Sequence, residues 1–241
     1  MTARTNRNIA MNDTAQVSTM DLDQGFVRIL ATAALVAALV LFAGQARAAT
    51  FGFQAVEGLF PTDAISLDVS QGAGGLATFT LSNSGTDSGS ITAIYFDWGS
   101  LASLFSNPAS IDDSLAGVDY TDNSGNWFAA TPSNMPGAAT LSNPFYADFG
   151  ISPDKKGGVS GNGVGSGEYV SISWALGGTD YASLLAALGS GDVRVGLHVQ
   201  SLSDGSSATG VSTSATPIPG AVWLLGSGLL GLVGLRSRIR R

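Results

Sequence analysis

Strict two-residue alternation limits most of this chain to sheet. In residues 168–176, EYVSISWAL, Val170, Ile172, Trp174 and Leu176 fall on one face, and Tyr169, Ser171 and Ser173 on the other. In residues 192–200, DVRVGLHVQ, Val193, Val195, Leu197 and Val199 point one way, with Asp192, Arg194, His198 and Gln200 opposite. Successive side chains of a strand leave opposite faces, so this pattern predicts strands with one face buried. Residues 76–82 repeat it with Ala77, Phe79 and Leu81, and residues 91–98 with Ile94, Phe96 and Trp98. Shorter runs at 51–56, 64–69, 117–121, 127–130 and 145–149 add weaker strands. Gly/Asn/Ser loops at 82–90 and 155–168 separate them. About eight or nine short antiparallel strands predict an all-β fold, a single jelly-roll-like β-sandwich. One short helix is expected at 180–189, with Asp180 as N-cap, Gly189 just past its end, and Leu184, Leu185 and Leu188 closing one end of the sandwich.

Charge is distributed unevenly. The formal net charge is −7, yet the segment between residue 49 and residue 217 holds three of the 11 basic residues and fifteen of the 18 acids, a net of −12. Such a body repels nucleic acid, so no nucleic-acid partner is expected. With 44% apolar and only 12% charged residues, the chain as a whole is too hydrophobic for a disordered polyelectrolyte. The chain has no Cys, which removes disulfides, thiol catalysis and Cys-based metal sites together.

Both ends differ from the body. Residues 27–50, VRILATAALVAALVLFAGQARAAT, have the plan of a secretory signal peptide: basic Arg28, an apolar run over 29–43, then small residues. Ala46 and Ala48 fill the two positions where signal peptidase requires small side chains, so cleavage is expected between Ala48 and Ala49. Residues 1–26 form an overlong, mixed-charge leader, as though translation started at residue 27. At the other end, residues 221–235 are uncharged and rich in Leu, Val and Gly, and Arg236, Arg238, Arg240 and Arg241 follow. As a helix the fifteen residues span about 22 Å, a marginal transmembrane length against a ~30 Å hydrocarbon core, and the arginines would hold the C-terminus on the cytoplasmic side.

Pro217, Ile218, Pro219 and Gly220, the run GAVWLLGSGLLGLVGL and the arginine cluster together resemble the PEP-CTERM sorting domain of Gram-negative bacteria. The resemblance covers about the last 25 residues, and Ile218 stands where the family motif has Glu. It implies export by the Sec machinery, transient anchoring in the inner membrane, processing of the tail by exosortase, and association with exopolysaccharide and biofilm at the cell surface. The expected organisation is a signal peptide at 1–48, a sandwich domain at 49–200, a flexible Ser/Gly/Thr linker at 201–216 and the sorting signal at 217–241.

Little in the body suggests catalysis. His198, the single histidine, is expected on the solvent face of its strand. The G-x-S-x-G elbow is absent, and GNGVGSG at 161–167 has the wrong spacing for a dinucleotide loop and reads as a flexible connection. Carboxylates are the remaining resource. Residues 110–127 gather Asp112, Asp113, Asp119, Asp122 and Asn123, a candidate calcium loop without EF-hand spacing, beside the alternative of ordinary solvated turns. Asp97 and Glu168 could form a glycosidase pair. Trp98, Trp127 and Tyr120 could stack on sugar rings if exposed, although such residues more often fill a sandwich core. The first reading is a secreted, non-catalytic structural protein with no cofactor. A surface carbohydrate-binding module comes second, and a surface glycoside hydrolase third.

Overall fold

The structure, a computed structural model, describes residues 48–105, 107–130, 134–156 and 158–213. Eleven strands are found among them: β1 (Ala48–Phe51), β2 (Phe53–Glu57), β3 (Ile65–Gly72), β4 (Leu76–Asn83), β5 (Ser90–Asp97), β6 (Ser110–Asp112), β7 (Phe128–Ala129), β8 (Phe149–Ser152), β9 (Glu168–Ala175), β10 (Arg194–Gln200) and β11 (Ala208–Ser212). They form two antiparallel sheets, a five-stranded one ordered β1-β3-β4-β9-β6 and a six-stranded one ordered β2-β11-β10-β5-β8-β7.

The predicted alternation positions the core. Phe79 and Leu81 of β4, Val170, Ile172 and Trp174 of β9, Ile94 and Phe96 of β5, and Val195, Leu197 and Val199 of β10 are fully buried in one cluster between the sheets. Aromatic rings concentrate at one end of it. Trp98 stacks on Phe105 at 4.2 Å and meets Trp174 edge-on at 4.9 Å, and Phe96 meets Trp174 at 5.3 Å. A bulge lets β5 serve this core. The register with β10 shifts between His198 and Val199, skipping Thr92, and Ile91 thereby joins the inner cluster.

The six-stranded sheet also carries a second, smaller core on its outer face. Ala93 and Tyr95 of β5 and Val211 of β11 lie there under Met135, Ala138 and Phe145, which belong to the arm 134–148. Every residue of β5 is consequently buried.

The one α-helix among the described residues, α1 (Tyr181–Ser190), starts where Asp180 accepts a hydrogen bond from the Ser183 N–H at 2.7 Å. Leu184 and Leu188 are buried and Leu185 half-buried, closing the sandwich as expected, and the Tyr181 hydroxyl donates to the Val69 carbonyl. The helix stops at Gly191, in the left-handed region at φ 76°, and not at Gly189. Of the strand expected at 145–149 only Phe149 is in one, β8, and further expectations are corrected. Residues 117–121 form no strand beyond a single bridge from Thr121 to Trp127. Residues 208–212, placed in the linker 201–216, are strand β11, inserted between β2 and β10. Backbone pairing on both edges holds them there, although only Ala208 and Val211 add apolar side chains to a core. Among the described residues no helix is long and apolar enough to cross a membrane. The apolar tail expected to do so, like the leader before Ala48, lies outside them.

Candidate functional site

A polar concavity is built by the loop after β6. Asp113 folds that loop back on itself, its carboxylate accepting from the Tyr120 N–H at 2.7 Å and from the N–H and hydroxyl of Thr121 at 2.9 Å. Tyr120 is fully buried and its hydroxyl donates to the Ile91 carbonyl at 2.7 Å, which nails the loop to β5. Burial pushes this phenol far above its ordinary range. Asp122 makes the next turn, accepting from the N–H groups of Asn126 and Ser124, and those bonds hold its carboxyl below the usual range. The Asp119 N–H donates to the Asn162 carbonyl, and the Asp154 N–H to the Asp119 carbonyl. Asp113, Asp119, Thr121, Asp122, Asn123 and Asn162 thus line a shallow depression of about 390 Å³. Partial burial, then the neighbouring Asp113 and Asp154, raises the Asp119 carboxyl.

This geometry does not fit calcium. The ion takes six to eight oxygens. Asp112 lies outside the depression, at the end of β6, where it accepts from the Ser114 N–H. Asp113 and Asp122 direct oxygens at loop N–H donors. No three His, Cys, Asp or Glu side chains among the described residues are grouped to hold a metal ion. Asp112, Asp113 and Asp122 act as turn formers.

The glycosidase pair is also corrected. Glu168 accepts from the Gly165 N–H at 2.7 Å, next to Val164, which bridges to Ile91. Asp97 lies six residues further along β5, roughly 20 Å away at about 3.3 Å per residue. Paired glycosidase carboxylates stand about 5–10 Å apart. Asp97 instead makes an ion pair with Arg194, the two side chains 9% and 12% exposed, and accepts from the N–H groups of Gly99 and Tyr146. Arg194 also donates to the carbonyls of Asn143 at 2.7 Å and Pro144 at 2.6 Å and lies 5.3 Å from the Phe145 ring centroid. This clamp fastens the arm 134–148 over the sheet. Alternation alone places Arg194 on the solvent side of its strand and does not reveal the clamp. Its signal was that Arg194 is the only arginine between Arg47 and Arg236.

Of the aromatic candidates, Trp98 and Tyr120 are fully buried and present no sugar platform. Trp127 is half-buried, its ring 5.8 Å from Phe149. Among the described residues the exposed aromatics are Tyr146, at 69%, and Tyr169, at 39%. His198 is half-buried, and burial lowers its pKa against a smaller opposing pull from Glu57. The segment 161–167 is no free connection. Val164 is fully buried, and a Cβ on Gly163 would come within 2.3 Å of the Ile91 carbonyl oxygen.

Of the processing residues, Ala48 and Ala49 lie in β1, opposite Ser70 and Val69. Ala46, Pro217, Ile218, Pro219, Gly220 and the four terminal arginines lie outside the described residues. The last described residue, Thr213, donates its N–H to the carbonyl of Gly52, between β1 and β2, at 2.9 Å.

Compared with known protein families, characterised proteins and solved structures, the chain matches none.

Proposed function

We propose that this chain is exported and sorted to the cell surface or extracellular matrix as a non-catalytic structural protein, with its C-terminal tail processed by exosortase. The observation that carries the reading is the arrangement of parts. One β body over residues 48–213 stands between an apolar leader and an apolar tail, each with the charge pattern of a routing signal. Cleavage after Ala48 would leave a mature chain that opens inside β1, with Val69 opposite its first residue. The carboxylates that might have served catalysis are engaged instead: Asp97 holds an arginine, and Asp113, Asp122 and Glu168 hold loops. Within this reading the sandwich is jelly-roll-like, because the chain crosses repeatedly between its sheets, as in β1 to β2, β4 to β5 and β8 to β9.

Intact-mass measurement of protein extracted from the cell surface tests both ends at once. Termini at Ala49 and near Pro219 are expected. Recovery of the uncut chain from cytosol would overturn the reading.

A second reading, a carbohydrate-binding module, draws on one feature. Exposed Tyr169 shares the outer face of the five-stranded sheet with the hydroxyls of Thr80, Ser82 and Ser171. Co-sedimentation with exopolysaccharide that is lost in Tyr169→Ala would favour it. Binding that survives this substitution would remove that face as the site.

A further inference from the structure

The outer face of the five-stranded sheet is a grid, because its strands pair without a shift of register. Outward side chains stand in rows across the strands, about 4.8 Å apart within a row and about 6.7 Å from one row to the next. One row runs Thr50, Asp68, Thr80, Ser171, Asp112, and the row beside it Ser70, Thr78, Ser173, Ser110. Both spend hydroxyls within the protein. Thr50 donates to Asp68, Thr80 bonds Ser171, and Thr78 bonds Ser173. The row on the other side, Ser66, Ser82 and Tyr169, differs. None of its three hydroxyls has a hydrogen-bond partner among the described residues, and it carries the exposed aromatic ring of this face. No Lys, Arg or Glu stands on the grid among the described residues, so ordering it against a partner forfeits little rotamer freedom. Charge selects that partner. Asp68 and Asp112 are the charged groups of the face, and no cation offsets them. A polyanion is repelled, and a second copy laid face to face would set like carboxylates against each other. An uncharged partner whose groups both donate and accept fits the three free hydroxyls.

We propose that the row Tyr169–Ser82–Ser66 is the contact line for an uncharged, extended polysaccharide lying across the strands. This rests on the carbohydrate-binding reading above and names its ligand class. One pyranose lays its C–H face on the Tyr169 ring, and the next sugars exchange hydrogen bonds with the Ser82 and Ser66 hydroxyls. The strand spacing suits this, since successive sugars of an extended glycan advance by a comparable step. The cross-bonded row of Thr80 and Ser171 fixes the side chains that flank the line.

The test is affinity electrophoresis of the full chain, kept in mild detergent, through gels containing hydroxyethyl cellulose, galactomannan, dextran or alginate. At least one of the three uncharged polymers should retard the protein, and alginate, a polyuronate, should not. Tyr169→Ala should weaken that binding roughly tenfold, and Ser66→Ala and Ser82→Ala each by about twofold to tenfold. Tyr169→Phe keeps the ring and should keep most of the binding, which separates stacking from any folding defect of the alanine variant. Thr78→Ala, two rows away and already paired with Ser173, should leave it unchanged. Binding lost in Tyr169→Ala but untouched by both serine substitutions would overturn the contact line and leave a carbohydrate-binding face standing. Retardation by alginate alone would overturn the uncharged ligand, again without removing that reading. Free migration through all four polymers would end both.

Discussion

The two sheets share one core but treat their outer faces in opposite ways. On the five-stranded sheet the outward positions of β3, β4 and β9 are Ser66, Asp68, Ser70, Gly72, Leu76, Thr78, Thr80, Ser82, Tyr169, Ser171, Ser173 and Ala175, mostly polar and partly or well exposed to solvent. Thr78 meets Ser173, and Thr80 meets Ser171, each pair hydroxyl to hydroxyl at 2.9 Å. On the six-stranded sheet the arm 134–148 covers Ala93, Tyr95 and Val211, with Arg194 and Asp97 clamping it down. The covered face is made apolar mainly by small residues, which leave room for a ring from elsewhere in the chain. The open face is made of hydroxyls that bond sideways across strands and need no lid.

This contrast can be broken from its strongest side first. Phe145→Ala empties the centre of the second core, where the ring is 1% exposed, and should cost about 3–5 kcal/mol in urea unfolding. Asp97→Ala leaves the Arg194 guanidinium without its counter-charge. A loss of about 3 kcal/mol is expected, with faster hydrogen exchange confined to residues 134–148. On the open sheet, Thr80→Ala should cost no more than about 0.5 kcal/mol, because the Ser171 hydroxyl can turn to water. If Thr80→Ala and Phe145→Ala proved equally costly, the two faces would not differ as described.

The smallest effect is on pH. Burial holds the folded pKa of His198 below its ordinary 6.5, so below about pH 6.5 the unfolded chain binds more protons. Stability is therefore complete above that pH and declines as pH falls through the folded value. The melting temperature should drop more steeply between pH 7 and 5.5 in wild type than in His198→Gln. Parallel pH curves would show that His198 is not the group responsible.

The inner face of the sandwich was legible because both of its sheets obey a period of two. Val170, Ile172 and Trp174 can be assigned to the core from EYVSISWAL alone, and Asp180 announces its helix. What escaped was everything whose partner is distant. β11 reads ATGVS and carries no strand signal of its own; its neighbours on two edges create it. Ala93 and Tyr95 alternate as outward residues, and nothing local says that an arm fifty residues later will cover them. The acids at 112–122 looked like ligands because composition records their number and not the backbone N–H groups they satisfy.

Gly196 carries a consequence of its own. It lies on β10 directly beneath the arm, and a Cβ there would come within 2.8 Å of the Met135 sulfur and 3.0 Å of the Phe145 ring. A side chain at 196 would thus require both the Met135 sulfur and the Phe145 ring to give way, which ties the glycine on β10 to the arm that seals the outer core.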